Sequence, residues 1–181
     1  MFNTAFSALV AGLLLCAPLA AQTAKLDDLF GQLAAAEDAQ AGQQVAEAII
    51  AEWSRSGSPA IDLLLQRGQS AIEAGEPEIA IGHFTAAIDH DPAFVEAWHG
   101  RATAYYLTGR IGPAIDDLRE VLLRDPRHFG ALEGFAILLE EMSRPEQALE
   151  VWRKVAALHP THLWAGEAIG RLELALEGIT L

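Results

Sequence analysis

The chain has 181 residues, 51% of them hydrophobic, with a formal charge of −13 and a sequence pI of about 4.7. That is enough apolar material for one folded domain with a sizeable core, which excludes a disordered chain. The acidic excess repels phosphate backbones and anionic lipid headgroups, so nucleic acid and a membrane surface are set aside as main ligands, and basic or neutral partners remain.

Residues 2–21 carry no charge, and the apolar run Ala5–Ala17 gives way to Pro18 and small residues. This patterning reads as an export signal, residues 1–21, cleaved near Ala21. The run is shorter than the roughly 20 apolar residues that a bilayer span requires. An uncleaved segment anchoring the chain to an inner membrane is the alternative. Leu15 is too bulky for the place before the cysteine of a lipoprotein signal, and Cys16 is the only cysteine, so cleavage leaves neither a disulfide nor a thiolate site.

Residues 22–59 read as a degenerate helical hairpin. Phe30, Leu33-Ala34, Ala46 and Ile50 supply its apolar and small positions, Gln40-Ala41-Gly42 its turn, and Ser58-Pro59 its end. It is expected to cap the N-terminal side of a repeat array. Residues 60–160 hold three segments, approximately 61–92, 95–126 and 129–160, whose closing prolines Pro92, Pro126 and Pro160 fall 34 residues apart. At ordinary proline usage, two further prolines in register arise by chance about once in 400. The first segment runs Leu64, Arg67-Gly68, Ala71, Gly75, Ala80, Phe84 and Pro92. The second runs Trp98, Arg101-Ala102, Tyr105, Gly109, Ala114, Leu118 and Pro126, and the third Leu132, Phe135-Ala136, Leu139, Ser143, Ala148, Trp152 and Pro160. Small residues on both helices of each unit let the pair approach closely. Gly75 and Gly109 suit a left-handed helix end, and Pro77, Pro113 and Pro145 suit a helix start. Residues 161–181 form a terminal helix in which Trp164, Ala168, Leu172 and Leu176 recur every four residues and are expected to cover the last unit.

This order of residue types resembles the tetratricopeptide repeat pattern over nearly all of the chain after the export signal. The resemblance implies an all-α solenoid of stacked helical hairpins, a right-handed superhelix closed by a C-terminal capping helix. It also implies a concave groove, lined by the first helix of each repeat, that takes a protein or peptide partner. Carried onto this chain, the groove positions are Asp62, Leu65, Gln69, Ile72 and Glu73, then Glu96, His99, Thr103, Tyr106 and Leu107, then Glu133, Ile137, Glu140 and Glu141. None is Lys or Arg, so the basic clamp with which some members hold a peptide carboxylate is missing. An acidic rim around apolar residues suits a partner with apolar and basic side chains. Arg67 and Arg101 sit where the pattern often has Leu, and Asp117 is the candidate partner for Arg101.

No chemistry stands out against this binding role. There is no Gly-rich phosphate loop, no Gly-x-Ser-x-Gly elbow and no dinucleotide fingerprint. His159-x-x-His162 is interrupted by Pro160, which breaks the helix face that would align both rings. Adjacent carboxylates such as Asp116-Asp117 and Glu140-Glu141 point about 100° apart on a helix and make no acid/base couple. The expectation is therefore a non-enzymatic scaffold without cofactor or metal, in the periplasm or cell envelope. An assembly factor or chaperone for envelope complexes is the runner-up, and a small metal-dependent enzyme is the alternative from another class. Self-association through Trp53, Trp152 or the last helix is a further possibility.

Overall fold

The computed structural model describes residues 17–179, with side chains over 22–178. The export-signal reading falls on residues outside this range, save 17–21. Among the described residues are nine helices and no strand: α1 (Ala17–Ala34), α2 (Ala39–Trp53), α3 (Pro59–Glu73), α4 (Pro77–His90), α5 (Val95–Leu107), α6 (Ile111–Arg124), α7 (Phe129–Glu141), α8 (Pro145–Leu158) and α9 (Leu163–Ile179). Each helix from α3 to α8 packs on the next, and α5 also touches α3 and α7, so the helices form a solenoid of hairpins.

Local chemistry sets the breaks. Pro59, Pro77 and Pro145 open their helices, where a missing N–H has no intrahelical partner to lose. Gly75 and Gly109 leave α3 and α5 in the left-handed region, at φ 74° and 72°. The third copy asks the same of Ser143, at φ 57°, and is the one non-glycine residue so placed among those described.

Packing explains the small residues. Phe84 of α4 is fully buried with its ring wedged between α3 and α5. A Cβ on Gly68 would fall into that ring, and one on Gly100 would lie 2.6 Å from it. Ala80, Ala114, Ala136 and Ala148 are fully buried, and Ala102 nearly so. Arg101 reaches Asp117 with two bonds, Nε to Oδ2 at 2.7 Å and a terminal nitrogen to Oδ1 at 2.8 Å, while its guanidinium lies over the Trp98 and Tyr105 rings. The pair is partly buried, with the carboxylate inside and the guanidinium at the edge, and it is held by planar two-bond geometry. Arg67, at the equivalent place one repeat earlier, is exposed and needs no such partner.

The N-terminal hairpin departs from the expected register. Gln40, Ala41 and Gly42 lie inside α2, because Asp38 caps that helix by accepting from Ala41 N at 2.8 Å, and the turn falls at 35–38. The buried face of α2 is Ala46, Ile49 and Trp53, with Ile50 turned out to solvent. The hairpin also finds its partner elsewhere. Leu26, Phe30, Leu33, Ala46, Ile49 and Trp53 cluster with Phe129 at the start of α7, and Leu158 at the end of α8 packs against them. Trp53 stacks flat on His128 (4.2 Å, 7°) and donates its indole N–H to Asp125 at 2.9 Å. Arg127 pairs with Asp27 at 2.7 Å while lying over the Phe30 ring. The hairpin thus folds back as a splint along the edge where the inter-repeat loops emerge. Trp53 and Trp152 are both buried, which removes them as self-association surfaces.

Candidate functional site

α5 and α7 present residues at helical spacing toward one another: His99, Thr103 and Tyr106 from α5, and Gly130, Glu133, Gly134 and Ile137 from α7. Between them lies a slot of about 200 Å³, floored by Ala102, Ala114, Leu118 and Leu138. It exists because small residues occupy its walls; a Cβ on Gly134 would meet Leu118 at 3.6 Å, ordinary contact distance. Tyr106 donates its hydroxyl to Glu141 at 2.6 Å, tying α5 to α7 at one end of the slot. That bond, with minor help from burial, raises the phenol above its ordinary pKa.

Over Ile137 the slot meets a second depression of about 460 Å³, lined by Glu133, Ile137, Glu140, Glu141, Trp152, Trp164, Glu167, Ala168 and Arg171. Here Glu140 accepts from Arg171 at 2.6 Å and from the Trp152 indole at 2.7 Å. The Arg171 bond lowers its pKa, against burial and with the indole's help. Glu133 faces His162 at 3.4 Å. Tyr106 and Ile137 are partly exposed and Trp164 is 63% exposed, so an apolar strip runs along the groove.

Of the expected groove residues, His99, Thr103, Tyr106, Glu133 and Ile137 meet in the slot, and Glu140 and Glu141 line the neighbouring depression. Leu65 does not belong with them: it is 3% exposed and packs in the core of the first repeat. Asp62 is a local brace, accepting from the Ser56 backbone N–H and hydroxyl at 2.8 and 2.6 Å. Gln69, Ile72, Glu73 and Leu107 line neither depression.

Glu96 faces inward, which corrects its place on an acidic rim. It is 6% exposed and accepts from His128 at 3.2 Å, with His99 at 3.4 Å. Burial pushes its carboxyl up, but the hydrogen bonds and charges of His128 and His99 outweigh that and hold it well below the usual carboxylate range. Burial holds His128 below the ordinary histidine value, with Glu96 opposing. The ligand atoms of Glu96, His99 and His128 lie within 4.8 Å of one another, a set that could in principle hold a cation. The tautomer argues otherwise. His128 Nδ1 caps α7 by accepting from Ala131 N at 3.0 Å, so its proton is on Nε2 and is donated to Glu96. A cation at Nε2 would drive that proton to Nδ1, against the Ala131 N–H, so the three residues suit a proton-sharing network instead of a metal centre.

Trp164 and Arg171 of the last helix were not among the expected groove residues. Of Trp164, Ala168, Leu172 and Leu176, the last three pack on the core of the third repeat as expected, and Trp164 does not, because steps of four advance a helix face by about 40° each. Ala165, Ala168 and Leu172 form the buried centre and Trp164 is left at its edge, beside the groove.

A tetratricopeptide repeat family model matches residues 65–128. The chain is 34% identical over 154 residues to a TPR repeat-containing protein of Rhizobium etli, covering 85% of this chain and 76% of that one. Among solved structures it is similar to the first TPR of Spaghetti (RPAP3) bound to an HSP90 peptide, with a TM-score of 0.63 at 21% identity over 66% of this chain and 95% of the other. It is also similar to the Sgt2 TPR domain of Aspergillus fumigatus, with a TM-score of 0.62 at 22% identity over 68% and 83%.

Proposed function

Because the chain belongs to the tetratricopeptide repeat family, we propose that it acts by binding a partner segment in the groove between α5 and α7, without catalysis. The observation that carries this reading is the continuity of the apolar slot with the strip Tyr106, Ile137 and Trp164. A slot of about 200 Å³ suits one large apolar side chain, and the strip beyond it suits the next anchors of an extended or helical segment. The stacked helices hold both in place before the partner arrives, which limits the entropy lost on binding.

Charge refines the partner. The second depression carries Glu133, Glu140, Glu141 and Glu167 against a single guanidinium, Arg171. This favours a segment with basic residues beside its apolar anchors. It disfavours an acidic tail such as the SRMEEVD peptide in the similar RPAP3 structure. The uncharged N-terminal patterning supports export, so the partner is sought in the periplasm or envelope. No helix among the described residues is long and apolar enough to cross a membrane.

The test is affinity capture from envelope extracts with the wild type and with Tyr106→Ala combined with Ile137→Ala, followed by calorimetry on the recovered partner. The double variant is expected to bind at least tenfold more weakly, since two central apolar anchors are each worth about 1 kcal/mol or more. Unchanged affinity would remove the groove from the interaction.

A further inference from the structure

The three inter-repeat loops share one backbone. Asp91, Asp125 and His159 stand in register after α4, α6 and α8, with φ of −144°, −132° and −133°. In each loop the carbonyl of that residue accepts from the N–H three residues on, at 3.0 to 3.1 Å. Asp91 and Asp125 also close the loop with a side-chain oxygen on the N–H two residues on, at 3.0 and 2.9 Å. His159 makes no such bond. It is 3% exposed, and neither ring nitrogen has a hydrogen-bond partner; nor does the Thr161 hydroxyl. The turn itself does not call for a histidine.

The neighbour that distinguishes this loop is α2. Gly42 lies so close to it that an added Cβ would fall on the Thr161 hydroxyl and reach His159 Nε2 at 3.1 Å. The Phe129 ring stands edge-on to the His159 ring, centroid to centroid 5.8 Å. At this place the side chain is an imidazole closed in by α2 and the Phe129 ring, with no partner for either nitrogen, a surrounding that suits its neutral form.

We propose that the α1–α2 hairpin is an acid-released clasp, seated on the third inter-repeat loop while the buried His159 ring is neutral and freed when that ring takes a proton. The added proton requires an acceptor and solvation, and the closed seat offers neither. α2 presents backbone at Gly42 and α7 presents the Phe129 ring. The titratable groups acting on the ring are His162 on its own loop, 5.0 Å away and edge-on, which opposes its charging, and Glu133 of α7, which favours it. Glu133 is itself engaged by His162. At the far end of the hairpin, Lys25 pairs with Glu52 and Asp27 with Arg127, so those charges are committed elsewhere. Burial first, then His162, hold His159 below the ordinary histidine value.

The open hairpin exposes an ordinary histidine of pKa about 6.5, whereas the closed one resists protonation, so closure is full above that pH and weakens as pH falls below it. One such group raises the open fraction by at most tenfold per pH unit. The inference is independent of what the groove binds.

Hydrogen exchange on the full chain, corrected for intrinsic pH dependence, tests it. Opening of α1–α2 is expected to be about tenfold more populated at pH 5.5 than at pH 7.5, with α3–α8 unchanged. His159→Leu should lose most of that response, and Gly42→Ala should expose α1–α2 already at pH 7.5 by prying α2 from the loop. A His159→Leu profile that follows the wild type overturns the proposal. So does a Gly42→Ala hairpin as protected as the wild type at pH 7.5.

Discussion

The hairpin α1–α2 and the array α3–α8 use the same unit, two helices and a short turn, but bury their apolar faces against different kinds of neighbour. In the array every helix packs on the next one in the chain. The hairpin is held by residues far along the sequence: Trp53 bonds Asp125, 72 residues on, and Asp27 meets Arg127 at a separation of 100. Nearest-neighbour burial makes the array cooperative along its length, while the hairpin can detach at one interface without dismantling the repeats. The two regions should therefore fail differently.

The largest expected effect breaks the array. Phe84→Ala removes a fully buried ring lodged between Gly68 and Gly100 and should cost about 3–5 kcal/mol, read in urea as a lower global midpoint. Trp53→Ala removes an aromatic of similar burial, but its loss should show as exchange of α1–α2 while α3–α8 stay protected. Should Trp53→Ala lower array protection as far as Phe84→Ala does, the two regions are one cooperative unit and the distinction fails.

A smaller effect lies at the junction, where Glu96 of the array holds His128 beneath the hairpin's Trp53. Glu96→Gln leaves the volume but removes the anionic acceptor, at a cost of about 1–3 kcal/mol at pH 7. Because the folded-state pKa is depressed, this contribution is complete above the unfolded value of about 4.5 and fades as pH falls below it. Urea midpoints at pH 7, 5 and 3.5 should therefore converge for wild type and Glu96→Gln as the solution becomes more acid. A gap between the two that stays constant would mean that the carboxylate's charge is not what holds His128.

The same contrast explains what could be read from the amino acids alone. The 34-residue period places small and bulky residues where each helix meets its sequence neighbour, so α3–α8 and the Arg101–Asp117 pair were legible. The slot between α5 and α7 was legible in part, since the tetratricopeptide resemblance implies His99, Thr103, Tyr106, Glu133 and Ile137 as groove positions and the slot gathers these five. Nothing periodic announces a contact such as Trp53 on His128. The fold-back of the hairpin and the role of Gly42 rest on such contacts between distant residues, and the burial of Glu96 rests on His128 of the next inter-repeat loop; none of these is periodic. Trp164 was hidden for a different one: its position at the margin of a buried stripe is settled only when α9 docks on α8.

The smallest effect sharpens the comparison within the array. Gly75 and Gly109 take the left-handed turn that ends the first helix of their repeats, at φ 74° and 72°, and Ser143 takes it in the third copy at φ 57°. A side chain in that region crowds its own carbonyl by roughly 1–2 kcal/mol, whereas glycine is free of the clash but loses more chain entropy on folding. Ser143→Gly should therefore stabilise the chain by a net amount of about 0.5–1 kcal/mol, seen as a raised urea midpoint with an unchanged slope. The reverse change, Gly109→Ser, should destabilise by a similar amount, because the two turns share one geometry. Since Ser143 lies in the array and away from the hairpin seat, neither substitution should alter the pH profile of α1–α2 exchange. A shift in that profile would show that the third repeat transmits its stability to the clasp, and the two regions would then have to be treated as coupled through α7 and α8.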